Sequence, residues 1–467
     1  VLRAHWLAST PPQGPVYVNL DAGMQEETLT APLPPIDASR YLSSVAAAPA
    51  AADIARAAQL LRTAKRPLIL AGRVSRDLEA WNARVALAEA LNALVVTDLK
   101  IGTAFPTAHP LHVDAPGVML RPAVGAAIAE ADVILSLDYV DLSGILKASC
   151  NGESKAYVIQ VSLDHVLHGG WSMDYQGHPP VDCFIAATPD AVVPALLHEL
   201  TRHGAATERL GGAIAGPPAS STDGSAPPAS STDGAAPAVS SADGAARPAF
   251  APAPMAEGCI GVDDVALALR AALGERKASL SHLPLSWDGA CWPFEHPLDF
   301  LGADGGGGIG AGPGIAVGAA LALRDAGGTE RLSIAICGDG DFMMGVTALW
   351  TAVHYRIPLL IVVANNRSYY NDEVHQERVA RMRDRPVENK WIGQRIADPD
   401  IDFAGLARAQ GALGWGPVAS RESMAQAFAE AIAAVEGGSV AVVEVRVTPA
   451  GSTAMPSAPA VGKRDRG

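Results

Sequence analysis

The stretch LSIAICGDGDFMMGVTALWTAVHYRIPLLIVVANNRS, residues 332–368, decides the fold of this chain. Leu332–Cys337 is an apolar run closed by Gly338-Asp339-Gly340, and Leu359–Ala364 is a second apolar run that ends in Asn365-Asn366. Each reads as a buried strand. Between them Phe342–Tyr355 carries apolar residues at helical spacing, and Pro358 marks the return to extended chain. Strand, helix and strand in this order form a right-handed βαβ unit with parallel strands. If the strands are neighbours, their carboxyl ends lie roughly 5 Å apart, where ligands bind in open α/β sheets. An Asp and an Asn amide offered there suit a hard, oxygen-seeking cation such as Mg²⁺, which keeps room in its shell for phosphate oxygens. A GDG turn or an NN turn alone would only end a strand of an ordinary α/β domain; the pair at this spacing points to a metal–diphosphate site.

At GDGDFMMGVTALWTAVHYRIPLLIVVANNRS the chain resembles the thiamine-diphosphate-dependent enzymes, in the acetolactate synthase and 2-oxo-acid decarboxylase group. The resemblance implies that Asp339, Asn366 and the main-chain carbonyl of Ser368 bind Mg²⁺. It also implies that Gly338, Gly340 and Asp341 hold the diphosphate, the last two through backbone N–H groups at the start of a helix. Relatives carry a small neutral residue where this chain has Asp341, so the role of that side chain stays open.

Asp304–Ala320, DGGGGIGAGPGIAVGAA, is a glycine-rich loop entering a small-residue helix. Backbone that approaches a ligand closely needs glycine. The resemblance places Ile309, between Gly308 and Gly310, as the apolar support beneath a bent thiamine; small residues over Gly314–Ala322 are explained equally well by helix–sheet packing. His282 in SHLPLSW is expected near the diphosphate or as a packed histidine without function, and His354 as structural. Past the metal ligands, Tyr369, Asn371, Glu373 and His375 are candidates for substrate contact or a lid. The residues beyond Glu377 read equally well as a solvated helix with i,i+4 charge pairs.

Working outward, 467 residues predict two or three domains. Apolar content of 49% and mean hydropathy of +0.17 allow large cores. A net charge of −14 argues against nucleic acid or anionic membrane as main partners. Five scattered cysteines without CxxC spacing suit a reducing cytoplasm, and no signal peptide or 18-residue apolar stretch stands out. Helices at Asp53–Ala64, Leu78–Leu91, Pro122–Glu130 and Pro189–Leu200 alternate with strands at Arg66–Gly72, Leu94–Thr97, Asp132–Leu137 and Ala156–Val161. That alternation predicts a parallel sheet covered on both faces. The fold class is therefore α/β, with two doubly wound parallel-sheet domains joined by a disordered linker.

The expected divisions are residues 40–203 for a central domain, 204–257 for the linker, 258–449 for the cofactor domain opening with a helix at Val262–Leu273, and a loose tail over 450–467. Residues 217–246 are three decapeptides, PPASSTDGSA, PPASSTDGAA and PAVSSADGAA, without the large apolar residues that offset ordering entropy. IGTAFPTAHPLH, residues 101–112, resembles the family's central domain. That domain binds FAD or ADP in some relatives and is a spacer in many; the lack of a GxGxxG fingerprint after a strand favours the spacer. Residues 1–30 read as the residual end of a pyrimidine-binding domain, with a helix end at Val1–Leu7 and a strand at Pro15–Leu20. The resemblance then implies that the activating glutamate lies outside the chain, because Glu26 and Glu27 are in the wrong context. It would come from upstream sequence or a second polypeptide, in a homodimer or homotetramer acting on a 2-oxo acid. A benzoylformate-decarboxylase-like or acyl-CoA-cleaving enzyme, or an inactive cofactor-binding subunit, are the other readings.

Overall fold

The computed structural model describes residues 1–37, 40–41, 48–150, 154–164, 177–202, 259–303, 308–327 and 330–449. The expected linker at 204–257 and tail at 450–467 lie outside the described residues.

Two five-stranded sheets, each wholly parallel, organise the chain. Ahead of them stand α1 (Leu2–Ser9) and α2 (Ala22–Glu26), neither burying a residue. Pro15–Leu20 forms no strand, and Val16, Tyr17, Val18 and Leu20 are exposed. An apolar run becomes a strand only by pairing, and none of the described residues pairs with it. The first sheet is built from β1 (Pro67–Ala71), β2 (Leu94–Val96), β3 (Val133–Leu137), β4 (Tyr157–Val161) and β5 (Cys183–Ile185), in the order β2-β1-β3-β4-β5. Its helices are α3 (Ala51–Thr63), α4 (Leu78–Leu91), α5 (Pro122–Glu130), α6 (Leu142–Cys150) and α7 (Pro189–Arg202). The predicted elements fall within a residue or two of these bounds. Sequence reasoning left out α6 and β5.

The second sheet follows α8 (Val262–Leu273) and runs β6-β7-β8-β10-β9. Its strands are β6 (Ala278–His282), β7 (Leu332–Gly338), β8 (Leu359–Asn365), β9 (Leu413–Val418) and β10 (Val440–Arg446). Its helices are α9 (Gly312–Asp325), α10 (Asp339–Gly345), α11 (Ala348–His354), α12 (Tyr370–Met382), α13 (Phe403–Ala409) and α14 (Arg421–Glu436). Alternation along β7 and β8 explains their unbroken apolar runs. Ile334, Ile336, Leu360 and Val362 enter one core with Val265, Leu269 and Phe428, whereas Ala335, Cys337, Ile361 and Val363 enter the other with Ala316, Phe342 and Phe403.

The helix expected over Phe342–Tyr355 is two helices. It starts earlier, directly at Asp339, and its ladder breaks at Val346-Thr347. There Leu349 N–H bonds back to Val346 O at 3.1 Å, three residues away. Gly345 sits at the break because a Cβ there would stand 2.3 Å from Gly310 O.

The segment 98–121 docks the two sheet units. Thr103 N–H donates to Phe300 O at 2.9 Å and receives Phe300 N–H on Oγ1 at 3.0 Å. Thr107 and Phe294 repeat the exchange, both bonds at 2.8 Å. Leu99, only 3% exposed, is seated in the second unit's core among Ile260, Trp287 and Phe300. The predicted spacer thus has a structural task that its composition did not announce.

Candidate cofactor and metal site

β7 and β8 are adjacent and parallel, with Gly338 opposite Ala364. This register brings Asp339, the first residue after β7, beside the Asn365-Asn366 turn. Asp339 is 2% exposed. Its Oδ1 accepts Gly340 N–H at 2.8 Å and its Oδ2 accepts Ser368 N–H at 3.1 Å. Asn366 Oδ1 accepts the same Ser368 N–H at 2.9 Å. Sharing one donor forces the two side-chain oxygens together.

The two asparagines divide their labour. Asn365 is buried, donates to Glu444 Oε1 at 2.7 Å and accepts Arg367 N–H at 3.0 Å. It ties β8 to β10, leaving Asn366 to face Asp339. Arg367, at φ 61°, turns the chain through the left-handed region so that Ser368 N–H points back at both oxygens.

Burial drives the Asp339 carboxyl up to about 6, against the lowering pull of backbone N–H groups of Gly340, Ser368 and Arg367. The groups that oppose the shift are all main-chain donors; a cation is the partner this desolvated carboxylate lacks among the described residues. The oxygen set fits Mg²⁺ on that ground.

Ser368 is fixed from behind. Its Oγ donates to Glu373 Oε1 and approaches Gln394 O at 3.3 Å, while Arg395 Nε meets the same Glu373 oxygen at 2.9 Å. Tyr369 N–H donates to Gln394 O at 2.9 Å and Ile396 N–H to Arg367 O at 2.8 Å. Glu373, one of the candidates for substrate contact or a lid, is buried and braces the loop that carries Ser368. Tyr369 lies over Gly340, where a Cβ would come within 2.1 Å of the ring. His375 pairs at 3.2 Å with Arg378 on an exposed face, and beyond Glu377 the helix carries the exposed Glu377–Arg381 pair at 2.6 Å. His354 stacks on Trp350 with centroids 4.7 Å apart, in keeping with a structural part.

The open question of Asp341 is answered by its contacts. Oδ1 accepts Gly310 N–H at 2.7 Å and Gly312 N–H at 3.2 Å. Oδ2 lies 3.1 Å from His282 Nε2, at the carboxyl end of β6, without a well-directed hydrogen bond. Desolvation pushes this carboxyl up, but His282 and the two glycine amides outweigh it and hold the group below the usual range. Cys337, wholly buried beside Asp341, is pushed well up, by burial first and by the Asp341 charge second. His282 therefore engages the Asp341 side chain. Gly340 N–H, expected to face a diphosphate, donates to Asp339. Ile309 stands 51% exposed beyond the latched loop, outside any core. Residues 304–307 of that loop lie outside the described residues.

An acidic corner and a glycine-rich loop, gathered at the carboxyl ends of adjacent parallel strands, mark a candidate cofactor site of an α/β domain. Residues 285–445 match the thiamine pyrophosphate enzyme C-terminal TPP binding domain and residues 54–187 match the thiamine pyrophosphate enzyme central domain. The chain belongs to the thiamine pyrophosphate enzyme family, whose cofactor is thiamine diphosphate. It is 31% identical over 136 residues to benzoylformate decarboxylase of Pseudomonas aeruginosa, covering 27% of this chain and 21% of that protein. With acetolactate synthase isozyme 3 large subunit of Escherichia coli it shares 27% identity over 156 residues, covering 33% and 25%. The matched stretches thus span a quarter or less of these curated relatives.

Among solved structures, benzoylformate decarboxylase from Polynucleobacter necessarius superposes with a TM-score of 0.69 at 21% identity, covering 96% of this chain and 73% of that one. A Rhodococcus jostii 4-hydroxybenzoylformate decarboxylase gives 0.66 at 24%, covering 97% and 74%. At these identities the structures show the shared fold.

Sequence reasoning missed the Glu373–Arg395 brace, the Asn365–Glu444 tie and the Thr103 and Thr107 docking pair. Each joins residues remote in sequence, so no local periodicity marks them.

Proposed function

We propose that this chain supplies the cofactor-anchoring and central parts of an enzyme that uses thiamine diphosphate and Mg²⁺ to decarboxylate a 2-oxo acid. The product is then protonated or joined to an acceptor, as in the acetolactate synthase and benzoylformate decarboxylase relatives. The observation that carries this reading is the convergence of Asp339 and Asn366 oxygens on one N–H, with Asp339 desolvated to about 6. Asp339 Oδ, Asn366 Oδ1 and the Ser368 carbonyl hold the ion. Gly338, Gly340, Asp341, Gly310 and Ile309 line the cofactor's place, and His282 acts on it through Asp341. When bound, thiamine diphosphate supplies carbanion chemistry for loss of CO₂, while this chain anchors and orients it.

The activating glutamate and pyrimidine-binding domain come from upstream sequence or another chain, in a homodimer or homotetramer. The central sheet serves as a spacer. Just past β1, Arg73 pairs with Asp138, just past β3, at 2.9 Å and with Asp164. All five cysteines are free thiols, which suits a cytoplasmic setting. No helix among the described residues is long and apolar enough to cross a membrane.

Isothermal titration of thiamine diphosphate with Mg²⁺ tests the site: Asp339→Ala is expected to abolish Mg²⁺-dependent binding, and unchanged affinity would refute it. Decarboxylation of pyruvate and benzoylformate, with and without an added glutamate-bearing pyrimidine domain, tests the reaction. Little turnover is expected from the 467 residues alone, because the glutamate's acid–base help is worth roughly 10²–10⁴-fold.

A further inference from the structure

The geometry points to Asp341 as a positioning residue that latches the glycine-rich loop onto the first turn of α10 and thereby sets where Gly310 and Ile309 stand. The inference rests on the reading of this region as the cofactor site, and deepens it.

Ile309 is half-exposed. Its own burial cannot fix it, so the loop needs an anchor at its neighbours. Asp341 is that anchor. Its Oδ1 takes the Gly310 and Gly312 amides, and its Oδ2 faces His282 Nε2 at 3.1 Å with the Cys337 thiol on the same side. The two amides thus satisfy Oδ1, while Oδ2, buried beside His282 and Cys337, has no well-directed hydrogen bond. A hydrogen bond to a charged acceptor is also stronger than a neutral one.

Three glycines make the close approach possible. A Cβ on Gly312 would lie 2.1 Å from Asp341 Oδ2 and 2.9 Å from Cys337 Sγ. A Cβ on Gly345 would lie 2.3 Å from Gly310 O, and Gly310 itself has φ +98°. The glycine pattern is thus that of a loop pulled down onto a carboxylate. The same contacts remove the objection to an acidic residue beside a diphosphate, since the charge is spent inward on His282 and two amides.

The trio of His282, Cys337 and Asp341, with ligand atoms within 4.8 Å of one another, has the donor types of a zinc site. The latch and an ion compete for the same oxygen. Asp341 Oδ1 is already committed to the loop and Cys337 is wholly buried, so the contacts favour the latch.

Amide hydrogen exchange on the cofactor-free chain reads the latch directly. In Asp341→Ala, protection at Gly310 and Gly312 is expected to fall roughly 10- to 100-fold, the equilibrium equivalent of one charged hydrogen bond, while β7 and β8 amides keep theirs. Asp341→Asn retains an Oδ1 acceptor and should restore most of the protection, whereas Asp341→Leu, which fills the space without accepting a hydrogen bond, should not; restoration by Leu would show a merely space-filling role. If Asp341→Ala fails to fold, Gly312→Ala displaces the carboxylate without removing it and should expose Gly310 equally. Unchanged exchange at Gly310 in the folded variants overturns the latch, whether or not the wild-type chain binds thiamine diphosphate. Retained wild-type protection with no cofactor binding would instead strike the functional reading and leave the latch standing. Cd²⁺ titration closes the rival: thiolate-to-metal absorption saturating at one ion per chain and lost in Cys337→Ser would overturn the latch in favour of a metal site.

Discussion

Replacing Asp339 with Asn should stabilise the metal-free chain while destroying its affinity for Mg²⁺. The carboxyl is raised from 3.8 to about 6, mainly because burial strips it of water. Carrying an ionised group across that gap costs the folded state about 3 kcal/mol. The sign follows from proton uptake. Between about pH 4 and pH 6 the folded chain binds this proton more tightly than the unfolded chain, so stability falls as pH rises through the window and is level above it.

At about pH 7.5 the metal-free chain bears the whole cost. Asparagine carries no charge, but its amide nitrogen would oppose Ser368 N–H, returning about 1 kcal/mol of lost hydrogen bonding. The expected gain is therefore about 2 kcal/mol, and the variant should lack the decline between about pH 4 and 6. Mg²⁺ should reverse the ranking, adding about 2.7 kcal/mol to the wild type at a hundredfold excess over Kd and nothing to the variant. Native-state exchange of core amides on β7 and β8, with chelator and with Mg²⁺, measures each quantity without requiring that the two sheet units unfold together. A variant less stable than the wild type at about pH 7.5 in chelator, with the same pH slope, would show that Asp339 carries no desolvation cost. The case for a waiting cation would then fail.

Gly340→Ala sets a Cβ 2.1 Å from the Tyr369 ring. Titration should show cofactor binding weakened about tenfold or more, about 1.4 kcal/mol, and partly restored in the Gly340→Ala, Tyr369→Ala double variant. Leu99→Ala empties a place in the second unit's core from the first unit, and denaturant unfolding should lose about 2–5 kcal/mol. Deleting 217–246, which lack large apolar side chains, should leave the melting temperature within about a degree or two, the scale of surface changes; a larger drop would mean that the repeats pack against a domain.

How much could be read in advance depended on whether the determining contacts were local. β7 and β8 were legible because a sheet covered on both faces demands apolar side chains at every position, and Ile334–Cys337 and Leu359–Ala364 supply them. The adjacency of Asp339 and Asn366 then followed from βαβ geometry. The break after Gly345 was not legible, since it answers to the approach of Gly310 from 35 residues upstream of Gly345. Nor was the loss of a strand at Pro15–Leu20, whose apolar residues meet no pairing edge among the described residues.

Asp341 is the instructive case, because a local signal did exist. At 3.6 residues per turn, positions two apart point about 200° from each other around a helix. Asp339 and Asp341, both in the first turn of α10, must therefore face opposite ways, and only one of them can face the Asn365-Asn366 turn. The other has to look back toward whatever packs behind, which here is the glycine-rich loop and His282. Their environments then push them apart. Asp339, desolvated and met only by main-chain N–H groups, is raised to about 6. Asp341, less completely drawn from water, is held low by His282 and two amides against its desolvation. Divergent environments for paired acids commonly mark divided roles. One acid is held in a state that a dication would relieve, and the other is already relieved by the protein itself. On the proposed reading, that asymmetry gives the cation to Asp339 and the architecture to Asp341.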